Sequence, residues 1–240
     1  MDTLLRLTGV SKRYGALTVT DDISFAVARG ETYGILGPNG AGKTTLFNLV
    51  SGDAKPDAGQ VEFDGADIGA LPAHRRCAAG IGRSYQVPRP FGAMTVFENL
   101  LVGATFGGAL AGDAADALCV DVLERTGLKR RANQLAGSLT LLDRKRLELA
   151  RALATQPQLL LLDEIAGGLT DAETHALIDE IREIKARGVT IVWIEHVTHA
   201  LLAVADRLLV INFGKKIAEG LPRDVMADPE VRRVYLGLEA

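Results

Sequence analysis

Gly37-Pro38-Asn39-Gly40-Ala41-Gly42-Lys43-Thr44 constrains this chain more than any other stretch. Two glycines separated by four residues and followed by Lys and Thr have the spacing of a loop that wraps phosphate. Residues 31–36 before it read as a buried strand. Residues 45–50 after it read as the first turns of a helix that closes near Gly52. That strand–turn–helix order aims successive backbone N–H groups and a helix N-terminus at one point. The glycines let the backbone approach the phosphates without a Cβ clash. Lys43 can reach the β- and γ-phosphates, and the Thr44 hydroxyl can take one Mg²⁺ position. An ordinary glycine-rich turn would not need all four fixed positions. The expectation is a nucleoside triphosphate site built from Gly37 to Thr44 together with Thr45.

With 48% apolar and 24% charged residues, the 240-residue chain has the composition of an ordinary globular protein able to bury a core. A formal charge of −3 argues against nucleic acid as the main partner. Cys77 and Cys119 stand far apart, outside any metal spacing, and need no role in a reducing compartment. Met1-Asp2-Thr3 lacks the basic start of a signal peptide. The longest uncharged stretch, residues 99–112, is glycine-rich and shorter than the ~20 residues that span a bilayer. Any membrane association is therefore expected to run through a partner.

Residues 4–10 alternate apolar and polar like an edge strand, and residues 22–28 read as a second strand. Tyr14 between them could stack on a nucleotide base or be a lone hairpin tyrosine. Asp64-Gly65 signals a hairpin, and residues 73–79 a short helix. Residues 80–86 read as a strand ending in Gln86, before Pro88 and Pro90 break the chain. Gln86 could reach a metal or a water at the γ-phosphate, although an exposed loop glutamine is commoner. From Val96 to about Ala154 the pattern is helical. One helix carries Ala117, Leu118, Val120, Val122 and Leu123, then a solvated basic end at Lys129, Arg130 and Arg131. Another carries Leu147, Ala150, Leu153 and Ala154. This block, about 86–155, reads as a helical subdomain inserted into a core made of about 1–85 and 156–240, all within one domain.

Four leucines at 159–162 suit a parallel strand buried on both faces, and they lead into Asp163-Glu164. There Asp163 can hold Mg²⁺ through water and Glu164 can orient the attacking water. A plain acidic loop is the alternative, and the phosphate loop weighs against it. Thr170-x-x-Glu173 opens a helix whose apolar face is Leu177, Ile178, Ile181 and Ile184. Residues 189–194 form another buried strand, ending in Glu195-His196. Of the four histidines only His196 sits at a strand exit, where α/β sheets hold ligands. A neutral imidazole there could bond the γ-phosphate or the attacking water. A hairpin over 207–219 and a polar helical tail to Ala240 close the chain.

In this order the motifs resemble the ATP-binding subunit of an ABC transporter, over essentially the whole chain. The likeness is nearer still to the ATPases of branched-chain amino-acid importers. It is carried by residues 80–86 with the prolines after them, Thr95-Val96-Phe97-Glu98-Asn99, residues 146–153, residues 214–220 and Asp228-Pro229-Glu230 with Tyr235-Leu236-Gly237. The resemblance implies an α/β fold, with a P-loop NTPase core, an N-terminal antiparallel β subdomain and the inserted helical subdomain. It makes Tyr14 the adenine-stacking aromatic, Lys43 the Walker A lysine and Gln86 the Q-loop glutamine and metal contact. Asp163 becomes the Walker B aspartate, Glu164 the general base and His196 the switch histidine. It implies ATP and Mg²⁺, two membrane-spanning permease subunits, a second ATPase and, indirectly, a periplasmic or extracellular solute-binding protein. The chain would sit peripherally on the cytoplasmic face of the cell membrane, with no nucleic acid bound. The segment 87–98, with Phe91 and Phe97 looking exposed, would contact a permease helix. Three positions depart from the family. The signature Leu-Ser-Gly-Gly-Gln is replaced by Leu139-Thr140-Leu141-Leu142-Asp143, the proline after Glu164 by Ile165, and the D-loop aspartate by Thr170. Thr140 to Asp143 would crowd the partner's ATP and set a negative charge beside it, so a heterodimer is expected. The alternatives are an importer ATPase for another small solute such as urea or amides, a soluble ABC-type ATPase acting on nucleic acid or ribosomes, and a small-molecule kinase.

Overall fold

Strands that alternate apolar and polar residues lie in one sheet, and strands that are apolar throughout lie in another. The computed structural model describes residues 2–236. Its strands are β1 (Thr3–Tyr14), β2 (Leu17–Ala28), β3 (Thr32–Leu36), β4 (Ala58–Phe63), β5 (Ala66–Asp67), β6 (Ile81–Arg83), β7 (Leu159–Asp163), β8 (Thr190–Ile194), β9 (Arg207–Asn212) and β10 (Lys215–Gly220). The α-helices are α1 (Lys43–Ser51), α2 (Ala73–Ala78), α3 (Val96–Val102), α4 (Asp113–Arg125), α5 (Leu141–Ala154), α6 (Asp171–Ala186), α7 (Thr198–Leu202), α8 (Pro222–Ala227) and α9 (Pro229–Leu236). The last residues of the expected tail, 237–240, lie outside the described residues.

The smaller sheet runs β2-β1-β4-β5 and is antiparallel. β1 pairs on both sides, so it is not the edge strand its alternation suggested. Alternation reports one buried face and carries no information about how many neighbours a strand has. The larger sheet runs β10-β9-β3-β8-β7-β6, parallel except for β10.

Every residue of β3, β7 and β8 is buried because the larger sheet is covered on both faces. Along β7 the side chains take turns. Leu159 and Leu161 pack with Leu46, Phe47 and the small sheet, whereas Leu160 and Leu162 pack with Ile178 and Ile181 of α6. α1 therefore lies between the two sheets, which fixes the phosphate loop at its N-terminus against both.

The chain leaves β6 for α3 to α5 and returns in β7. Leu147, Ala150, Leu153 and Ala154 of α5 are buried, together with Leu149 and Ala152. In α4 the buried face is Ala115, Cys119, Val122 and Leu123, with Leu118 packed at its border, so the expected apolar set holds at Leu118, Val122 and Leu123 and fails at two positions. Ala117 and Val120 are exposed, and Cys119 is a core residue. Positions 115, 119, 122 and 123 keep the i, i+4, i+7, i+8 spacing that one helix face requires. Lys129–Arg131 form a short, exposed 3₁₀ turn after α4, closed by the Arg131 N–H on the Leu128 carbonyl at 2.8 Å, and Arg131 Nε also reaches Asp143 Oδ2 at 2.9 Å.

Candidate nucleotide site

Gly42 caps α1 at φ 101°, and a Cβ there would stand 2.4 Å from the Val19 carbonyl oxygen, so only glycine fits. The first turn of α1, Lys43-Thr44-Thr45, holds no acidic residue and no side-chain cap, which leaves its N–H groups free for an anion. Lys43 is buried, and its Nζ donates to the Gly37 and Pro38 carbonyls at 2.7 and 3.0 Å. Burial lowers its pKa, while Glu164 and Asp163 act in the opposite direction. Asn39 and Gly40 lie exposed at the loop crest, Ala41 is buried beneath them, and Thr45 is half-buried.

Three loops converge on the next feature, because β6, β7 and β8 are neighbours with their carboxyl ends on one side. Gln86 follows β6, Glu164 follows β7 and His196 follows β8. The Gln86 amide donates to Glu164 Oε2, and His196 Nε2 lies 2.6 Å from Glu164 Oε1. Glu164 itself sits at φ 49°, and its N–H donates to the Ile194 carbonyl at 2.9 Å. A non-glycine residue in that region is strained, which is common where a carboxylate must be aimed. Asp163 is buried beside it. Burial raises its pKa, opposed by the Arg83 guanidinium, whose Nη2 donates to Oδ2 at 3.0 Å. Asp163 Oδ1 is buried with no hydrogen-bond partner among the described residues. Thr44, Gln86 and Asp163 line one cavity of about 780 Å³. Tyr14 stands apart at the tip of the β1–β2 hairpin, half exposed, with Lys12 Nζ 5.5 Å from its ring centre. His74 also lines the cavity, and His175 bonds the Asp171 carbonyl through Nδ1.

Sequence reasoning passed over two buried charges that hold this cluster. Lys145 of α5 is 8% exposed and donates to the carbonyls of Glu164 (3.4 Å), Ile165 (3.1 Å) and Gly167. Glu195 is fully buried and accepts from the N–H groups of Ala166 (2.7 Å), His196 (2.9 Å) and Val197 (3.3 Å). Burial raises the Glu195 pKa and lowers that of Lys145, and the three N–H groups and the opposite charge, respectively, counter it. Together they grip residues 164–167 from two sides. Lys145 was detectable: it stands one turn before Leu149, on the face of α5 that should be apolar.

At the altered signature, Thr140 caps α5. Its hydroxyl donates to Asp143 Oδ2 at 2.8 Å and accepts from the Asp143 N–H at 3.3 Å. Asp143 is buried and paired with Arg131. The lone negative charge expected there is therefore compensated. Thr170 caps α6 in a capping box with Glu173, and Ile165 is buried in the core.

A phosphate-cradling loop, a paired carboxylate exit and converging loops at the carboxyl edge of a parallel sheet define a nucleoside-triphosphate hydrolase. The comparisons refine this. The profile described as ABC transporter matches residues 20–167, and that described as Branched-chain amino acid ATP-binding cassette transporter matches residues 215–240. The chain is 37% identical to the high-affinity branched-chain amino acid transport ATP-binding protein LivG of Salmonella typhimurium, over 98% of both chains. It is 35% identical to the lipopolysaccharide export system ATP-binding protein LptB of Haemophilus influenzae, again over 98% of both. The crystal structure of the ADP conformation of an ATP-binding cassette superposes with a TM-score of 0.90 at 32% identity, covering 99% of this chain and 100% of that one. The chain belongs to the ATP-binding subunits of ABC transporters. It is an ATPase of that family, and the alternatives of a nucleic-acid or ribosome ATPase and of an importer ATPase for another small solute such as urea or amides are not favoured. Membership implies membrane permease partners; among the described residues no helix is long and apolar enough to cross a membrane.

Proposed function

We propose that this chain powers uptake of branched-chain or related amino acids, binding ATP with Mg²⁺ at the cytoplasmic face of the membrane. The observation that carries the hydrolytic part is the carboxylate of Glu164, held from both sides by Gln86 and His196 at the edge of the phosphate loop. The amino-acid cargo is supported by the likeness to LivG and by the matching C-terminal segment.

In this reading the phosphates rest on the N–H groups of residues 40–45 and on Lys43, with the adenine on Tyr14. Mg²⁺ would be held by the Thr44 hydroxyl, the Gln86 amide oxygen and, through water, Asp163, and it would neutralise charge developing on the β- and γ-phosphates. The orphaned Asp163 Oδ1 fits that assignment, since a buried unpaired carboxylate oxygen is otherwise costly. Glu164 takes a proton from the attacking water. His196, bonded to Glu164, stands where it can bond the γ-phosphate or that water.

Two permease subunits, a second ATPase and an indirectly linked solute-binding protein complete the assembly. Docking falls on segment 87–91, where Val87 is 63% and Phe91 44% exposed and Arg151 lies 4.9 Å from the Phe91 ring centre. The segment is tied to α5, since Glu148 accepts from the Arg89 N–H at 2.8 Å and Arg151 Nη1 donates to the Arg89 carbonyl at 3.0 Å. Phe97 is half-buried against the core and Val96 is fully buried, so neither can serve as an exposed contact. A charge at Val96 would instead disrupt folding. Isolation of the chain from native membranes should recover two permease subunits and a second ATPase. Val87→Glu with Phe91→Glu should fold, keep nucleotide binding, and lose most of that recovery together with transport. Recovery of ribosomes or nucleic acid in place of permeases would refute the proposal.

A further inference from the structure

Arg83 ends β6, three residues before Gln86, and its side chain is only 6% exposed. Nη1 donates to Asn48 Oδ1 (2.7 Å), Ser51 Oγ (2.9 Å) and Asp53 Oδ2 (2.9 Å), and Nη2 to Asp163 Oδ2 (3.0 Å). The Phe47 and Tyr85 ring centres lie 5.7 and 4.8 Å from its guanidinium carbon. A buried guanidinium is tolerated when most of its donors are met; here Nη1 and Nη2 find acceptors on two separate pieces of chain, residues 48–53 and Asp163, while Nε has no partner among the described residues. Thr44, Asn48 and Ser51 recur at i, i+4 and i+7, so Arg83 grips the face of α1 that also carries Thr44. On the other side it fixes one oxygen of Asp163, which leaves the second, Oδ1, with a set direction and no partner among the described residues.

We propose that Arg83 is the positioning residue for the carboxylate that would hold magnesium through water: it locks Asp163 to α1, so that Asp163 Oδ1 and the Thr44 hydroxyl keep a fixed spacing across the metal position. This rests on the ATP–Mg²⁺ reading above. The planar fork is what makes the lock, since it reaches α1 and β7 at once. A lysine carries three donors on one compact nitrogen, without the spread of the planar fork, and so bridges the two sides less well. Arg83 touches neither nucleotide nor metal in this arrangement. It acts through Asp163, in the way that partners of metal ligands set ligand direction.

The test is binding of a fluorescent ATP analogue to the purified chain, titrated with Mg²⁺ and repeated in EDTA. Arg83→Gln should raise the Mg²⁺ concentration needed for half of the metal-dependent gain in affinity by about 10-fold or more, the range for loss of a residue that orients a metal ligand. Its affinity in EDTA should stay near the wild-type value, because the loop and Lys43 are untouched. Arg83→Lys should fall between the two. Should Arg83→Gln fail to fold, Asn48→Ala with Ser51→Ala loosens the same guanidinium and should shift the Mg²⁺ requirement in the same direction. An unchanged Mg²⁺ requirement in a folded variant, or an equal loss with and without Mg²⁺, would overturn the proposal. Wild-type protein that binds no ATP analogue would overturn the nucleotide reading itself, and Arg83 with it.

Discussion

Glu164→Gln should leave ATP binding close to wild type and slow hydrolysis at this chain's own site by ~10²-fold or more, the contribution expected of a positioned general base. The substitution is nearly isosteric, so the contacts with Gln86 and His196 have counterparts in the amide. What disappears is the capacity to take a proton. The buried grip of Lys145 and Glu195 on residues 164–167 keeps the position of the side chain independent of its charge. Single-turnover hydrolysis in the assembled transporter, beside an equilibrium nucleotide titration, separates the two effects. A rate within a few-fold of wild type would remove Glu164 from the chemistry.

The second large effect concerns the altered signature. In the family, the signature of one subunit completes the ATP site of the other. Here the Thr140 hydroxyl is committed to Asp143, and Leu141, half exposed, presents a side chain where the family has glycine. An uncompensated Asp143 would oppose a phosphate charge at ~8 Å by ~2 kcal/mol at an effective dielectric of ~20. Its pairing with Arg131 removes much of that repulsion. The lost donor remains, and one well-aimed donor is worth ~3–4 kcal/mol in the transition state. Two copies of this chain would combine two weakened signatures, so we expect a pair with a second ATPase whose signature is intact. Hydrolysis should then concentrate at the site holding Lys43, Glu164 and His196. Replacing the base in each subunit separately should abolish nearly all turnover for Glu164 and only part of it for the counterpart. Rapid turnover by this chain on its own would contradict the asymmetry.

The elements that could be read from the sequence are those whose signal is local. The glycine–lysine loop, the leucine run of β7 and the Thr170–Glu173 cap each carry their reason within eight residues or fewer. What could not be read depends on neighbours distant in sequence. Whether β1 is central or edge is decided by β4, more than 40 residues later. The charge of Asp143 is offset by Arg131, which the basic run gave no reason to single out. Arg83 and Glu195 look like ordinary strand-end residues until the sheet order places α1 beside one and residues 164–167 beside the other. Phe97 looked exposed because its partners in the helical segment are set by packing, not by local spacing.

The most direct test of the account is ATP hydrolysis by the complete transporter in proteoliposomes, with its solute-binding protein, as leucine, isoleucine or valine is added. Hydrolysis should rise with the amino acid and disappear when Lys43 is replaced by alanine. Hydrolysis that ignores branched-chain and related amino acids but responds to a different solute, or that persists without Lys43, would contradict it.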